Sequence, residues 1–107
     1  MRVLVTGGNR YIGRDLVFEL ARRGHDVTVI NSHEAPLPDG ARRIHADRRV
    51  PGAFEAALHD RRDDFDVIFD NTAYVPADLE PMVALFAGRV SQYVFTSSQA
   101  VYRRSFV

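Results

Sequence analysis

VLVTGGNRYIG, residues 3–13, joins a short apolar run to a cluster of glycines and then to the start of a helical pattern. The run from Arg2 to Thr6 is rich in β-branched residues and is cut off by Gly7 and Gly8, which predicts a buried strand ending in a tight turn. Ile12, Leu16, Val17, Leu20 and Ala21 then recur at helical spacing, with charged residues on the other faces. A strand, Gly-Gly-x-x-x-x-Gly and an amphipathic helix gather backbone N–H groups and a helix N-terminus at one point, a cradle for a phosphate or pyrophosphate. Gly7 permits the turn and Gly13 lets the helix pack closely on the strand. A purely structural turn is the alternative. Arg10 stands where many such loops carry a further glycine; it keeps the loop electropositive.

Outward from this loop the pattern repeats. The first helix closes at ARRG (21–24), with arginines in the last turn and a glycine at the stop. HDVTVI (25–30) reads as a second buried strand, and residues 31–41, with two prolines and a glycine, as a loop. RRIHA (42–46) predicts a short third strand, and Phe54, Ala57 and Leu58 a second helix with Pro51 near its first turn. FDVIFDN (65–71) is a fourth strand. Leu79, Met82, Val83 and Phe86 form the apolar stripe of a third helix ending at Gly88, and QYVFTSS (92–98) is a fifth strand. The order is β-α-β-β-α-β-α-β, with strands that are near-continuous apolar runs. Strands of that kind are covered on both faces, which predicts an α/β fold with a doubly wound parallel sheet. All 107 residues fit one domain, and the sequence stops shortly after the fifth strand, where such a domain usually adds a helix and a strand.

Composition removes several classes of chemistry. All 14 basic residues are arginine, so lysine Schiff bases and Walker-type phosphate binding are excluded. There is no cysteine, hence no disulfide, thiolate nucleophile or cysteine metal site. The histidines at 25, 33, 45 and 59 lack metal-ligand spacing, and no metal site is expected. Fourteen acidic side chains balance the arginines, and the Arg-Arg pairs are scattered, so solvated surface is favoured over nucleic-acid binding. The first strand leaves no room for a signal peptide, and no apolar run approaches the ~20 residues of a membrane span. A soluble, cytoplasmic protein is the expectation.

The remaining candidates lie at strand ends, where open α/β sheets bind ligands. Asn31 and Ser32 follow the second strand, at the position where dinucleotide folds often place an acid for the adenosine ribose. An asparagine can bond a ribose hydroxyl without repelling a 2′-phosphate, so both NAD and NADP are allowed. Asp47 and Arg48 follow the third strand; Asp47 is a candidate for the adenine amino group or an ordinary turn residue. In DNTAY (70–74) the small and amide residues Asn71, Thr72 and Ala73 are placed to line a cofactor, while Asp70 is suited to cap the following turn. FTSSQAVY (95–102) brings hydroxyls to the same edge, as turn formers or as ligands for a substrate carbonyl.

Taken together, VLVTGGNRYIG, GHDVTVI, HADRR, FDVIFDNTAY and YVFTSSQAVY resemble an extended short-chain dehydrogenase/reductase of the NAD-dependent epimerase/dehydratase group, over essentially the whole chain. The family pattern TGxxGxxG falls on Thr6, Gly7, Arg10 and Gly13. An atypical branch that includes chloroplast stem-loop RNA-binding proteins is similar in having Thr-Gly-Gly-x-Arg, an aromatic, an aliphatic and Gly. The resemblance implies a Rossmann-type NAD(P)-binding domain with five strands in the order 3-2-1-4-5. It implies cofactor contacts from Thr6, Gly7, Gly8, Asn9, Arg10, Tyr11, Ile12 and Gly13, from Asn31, Ser32, Asp47 and Arg48, and from Asn71, Thr72 and Ala73. Ser98 matches the family's catalytic serine.

The family's Tyr-x-x-x-Lys pair has no counterpart, since the sequence ends before the helix that bears it and contains no lysine. The chain is therefore expected to be the cofactor-binding portion of such an enzyme, inactive alone. The rivals are a non-catalytic dinucleotide sensor of the NmrA type and an RNA-binding member of the atypical branch. An uncovered edge at the fifth strand, with Val94 and Phe95, predicts self-association or a completing partner chain.

Overall fold

The computed structural model describes residues 1–7, 11–73, 75–96 and 101–105. In chain order the elements are β1 (Arg2–Thr6), α1 (Tyr11–Arg22), β2 (Asp26–Asn31), β3 (Arg42–His45), α2 (Ala53–Leu58), a 3-10 turn (His59–Arg61), β4 (Val67–Asp70), α3 (Pro76–Phe86), β5 (Gln92–Thr96) and β6 (Val101–Ser105). They build one sheet in the order β3-β2-β1-β4-β5-β6. The first five strands are parallel, and β6 runs antiparallel to β5.

The apolar strands sort their side chains by alternation. Val3 and Val5 of β1 join Val27 and Val29 of β2 on one face, where Val17, Leu16, Leu20 and Ala21 of α1 cover them. Leu4, Ile30 and Ile68 point to the other face, against Phe54 and Leu58 of α2 and Met82, Leu85 and Phe86 of α3. Phe65 meets Phe86 edge to face, with ring centroids 6.2 Å apart. Helices on both faces explain why the central strands read as unbroken apolar runs.

Register aligns the carboxyl ends of the central strands. Thr6 lies opposite Ile30 on one side and Asp70 on the other, and Asn31 lies opposite His45. The expected order 3-2-1-4-5 is therefore the observed one for the parallel strands. Three details differ. Asn31 is the last residue of β2 and not the first of the loop, because its C=O accepts from the Ala46 N–H and continues the ladder. Val83 is exposed, and Leu85 takes its place on the buried face of α3 with Met82 and Phe86. The expected open edge at the fifth strand is covered: β6 pairs with β5 from Gln92 opposite Ser105 to Thr96 opposite Val101. An apolar strand with unpaired N–H and C=O groups accepts a neighbouring segment of its own chain when one reaches it.

Candidate functional site

The carboxyl ends of β1 and β4 meet around one carboxylate. Asp70 is fully buried, and a charge there requires close partners. Arg48, from the loop between β3 and α2, supplies a bidentate pair: Nη1 donates to Oδ1 at 2.7 Å and Nη2 to Oδ2 at 2.9 Å. The same guanidinium donates to Thr72 Oγ1 at 3.0 Å and to the Asp78 C=O at 2.7 Å, and it lies over the Phe54 ring at 5.1 Å. Thr6 donates its hydroxyl to Asp70 Oδ1 at 2.9 Å, and the Tyr93 hydroxyl donates to Oδ2. The N–H groups of Thr72 and Ala73 also point to Oδ1, so Asp70 caps the turn after β4 as expected.

Burial pushes the Asp70 carboxyl up, but the hydrogen bonds and charge of Arg48, together with Tyr93 and Thr6, outweigh it and hold the group below its ordinary value. For Arg48 burial acts downward, and its bonds and charge pairing with Asp70 carry it above its ordinary value. Burial, reinforced by the Asp70 charge, raises Tyr93 well above its ordinary value, so its proton stays on the hydroxyl. The site thus contains a closed ion pair with a neutral phenol.

Around this pair the hydrogen bonds run in one direction. Arg48 donates to Thr72, Thr72 donates to Thr6 at 3.1 Å, and Thr6 donates to Asp70. Asn71 adds two links to β1, from its N–H to Thr6 Oγ1 at 3.0 Å and from Nδ2 to the Thr6 C=O at 3.1 Å. Gly7 follows directly, with φ +67°, and its N–H donates to the Ile30 C=O at 3.2 Å. A Cβ on Gly7 would collide with Cγ2 of Thr72. Only glycine allows the β1 turn and the β4 turn to come this close.

The structure brings Thr6, Gly7, Asn71, Thr72 and Ala73 together, with Asn31 at the neighbouring strand end. Asn31 is 5% exposed; its Oδ1 accepts from Arg43 Nε at 3.2 Å, while its Nδ2 has no hydrogen-bond partner among the described residues. Ser32 is half-buried beside it. Asp47 is exposed, and its carboxylate accepts from the Arg49 N–H at 2.8 Å. The guanidinium of Arg48 is committed to Asp70, Thr72 and Asp78. Tyr11, Ile12 and Gly13 form the first turn of α1, which carries no acidic residue to compete with a bound anion. Gly8, Asn9, Arg10 and Ser98 lie outside the described residues. Sequence reasoning missed Tyr93 and the partner of Asp70. The available signal was an acid at the end of an apolar strand, which demands a cation, with Arg48 the candidate nearest the same edge.

Among the described residues no group of acids and histidines is arranged to hold a metal, and no helix is long and apolar enough to cross a membrane. Five parallel strands in this order, wound by helices on both faces and turning at a positive-φ glycine after β1, define a Rossmann-type fold. The profile of the NAD dependent epimerase/dehydratase family matches residues 3–105, and the chain belongs to that family. The UDP-glucose 4-epimerase of Klebsiella pneumoniae is 30% identical over 130 residues, spanning 95% of this chain and 92% of that protein. The chloroplast stem-loop binding protein of 41 kDa b of Arabidopsis thaliana is 28% identical over 120 residues, spanning 97% of this chain and 31% of that protein. Among solved structures, the yeast methylglyoxal/isovaleraldehyde reductase Gre2 complexed with NADPH superposes with a TM-score of 0.73 over 92% of this chain and 37% of that one. At 16% identity this last likeness concerns the fold. The chain spans about a third of the length of the Arabidopsis and yeast proteins.

Proposed function

We propose that this chain binds NAD or NADP as the cofactor-holding portion of an epimerase, dehydratase or reductase of its family. The observation that carries the reading is the close packing of Gly7, at positive φ, on Thr72 at the sheet's carboxyl edge, where any Cβ would collide with the Thr72 methyl. Nδ2 of Asn31, buried one strand away and without a hydrogen-bond partner among the described residues, supports it as a donor suited to a ribose oxygen. In this reading the turn at Gly7, Gly8, Asn9 and Arg10 and the first turn of α1 hold the pyrophosphate. Asn31 and Ser32 face the adenosine ribose, Asp47 the adenine, and Asn71, Thr72 and Ala73 the wall of the groove. The bound nicotinamide supplies hydride transfer.

In the whole protein, Ser98 would orient the carbonyl or hydroxyl of a sugar nucleotide or a small carbonyl substrate. The chain alone is expected to be inactive for want of the Tyr-x-x-x-Lys pair. Its equal numbers of acidic and basic side chains and its scattered arginines weaken the RNA-binding reading. Self-association belongs to the same proposal, with β6, last in the sheet, as the edge that pairs.

Calorimetric titration of NAD and NADP into the chain tests the reading. Saturable one-to-one binding of either is expected, and heat from neither overturns it. A monodisperse monomer by light scattering at high concentration would count against the proposed assembly.

A further inference from the structure

We propose that Arg48 is a positioning residue of the dinucleotide site, acting through Thr72 and without contact to the cofactor. The proposal rests on the dinucleotide reading and goes beyond it. Its four hydrogen bonds occupy both terminal nitrogens, two on each, with acceptors on Asp70, Thr72 and Asp78. The Arg48 side chain is 8% exposed and its guanidinium is seated on Phe54, so it is turned into the protein.

What this grip controls is the turn after β4. Asp70 has other support, from Thr6, Tyr93 and two backbone N–H groups, which hold the strand end in place. Thr72 is different: its hydroxyl accepts from Arg48 and donates to Thr6. Those two bonds select one χ1 rotamer, and that rotamer directs Cγ2 at Gly7. The bond to the Asp78 C=O ties the start of α3 to the same guanidinium. Arg48 therefore sets the height of Thr72 and of the start of α3 over Gly7. A planar fork reaching three acceptor groups is needed; a lysine ammonium cannot span them.

The test uses the whole chain in two measurements. In the ligand-free protein, Arg48→Gln is expected to speed amide exchange of Thr72 and Ala73 by about tenfold while Val3, Leu4 and Val5 keep their protection. In titrations, Arg48→Gln and Thr72→Val are each expected to weaken dinucleotide binding about tenfold, and the double variant to be no weaker than the poorer single one within about twofold. Independent, multiplying effects would mean that Arg48 does not act through Thr72, and would overturn the proposal. So would an unchanged affinity in folded Arg48→Gln, or unchanged exchange at Thr72 and Ala73. If Arg48→Gln does not fold, Arg48→Lys keeps a charge for Asp70 and takes the same measurements. If the unmodified chain binds neither cofactor, the dinucleotide reading fails, and the exchange experiment still decides whether Arg48 sets the turn.

Discussion

Gly7 is held by two separate constraints, its own positive φ and the Thr72 methyl standing where a side chain would go. Gly7→Ala is expected to cost roughly 1–3 kcal/mol, the sum of left-handed strain and the clash. Adding Thr72→Ser, which removes Cγ2 and keeps the hydroxyl, should recover the clash but not the strain; urea unfolding of the three proteins measures both parts. At Asp70 the stakes are higher. Asp70→Asn leaves Arg48 buried without its counter-charge, a loss of about 3–5 kcal/mol. Because the folded carboxyl titrates below its ordinary value, its contribution is full above the unfolded value of ~3.9 and is lost as the pH falls through the folded one. The difference in thermal stability between the wild type and Asp70→Asn should therefore narrow on acidification below about pH 4. If the chain binds its cofactor as proposed, Asn31→Asp, which replaces Nδ2 by a second carboxylate oxygen, should weaken NADP against NAD by about tenfold or more in paired titrations. Gly7 was legible in the sequence because a turn at positive φ after a strand favours glycine, whereas Asn31 was read one residue beyond the strand that it ends. The Arg48–Asp70 pair was not, since it joins residues whose proximity depends on packing of α2 and α3 against the sheet.

Elements were easiest to read where burial imposes a period. The apolar runs of β1, β2 and β4 located those strands, and Gly24 and Gly88, both at positive φ, mark the ends of α1 and α3 as their sequence positions suggested. On α3 the simple stripe failed at one position, because Leu79, Met82 and Phe86 define a face that turns toward Leu85 and leaves Val83 on the flank. Two substitutions separate the alternatives. Met82→Ala should cost about 2–5 kcal/mol, whereas Val83→Ala should stay within about 0.5 kcal/mol, both read from chemical denaturation. β6 escaped the sequence reading for a different reason. VYRRS carries two adjacent arginines and reads as surface; it becomes a strand because β5 offers a ladder to complete.

For the molecule as a whole, the arrangement follows from the place of β1, first in sequence and third in the sheet, with β2 on one side and β4 on the other. The parallel order was readable because helices alternating with apolar strands permit few arrangements. This placement also has a consequence for how the protein comes into being. During synthesis, the left wall of the glycine turn exists once β2 has emerged, but Thr6 and its partner Asp70 are 64 residues apart. Tyr93, which closes the carboxylate from β5, arrives later still. Contacts of such separation form late because closing the intervening chain is entropically slow. A ribosome-bound chain shorter than β4 therefore carries Thr6 and Gly7 without the Asp70 and Thr72 that pack on them, and an open apolar edge on β1.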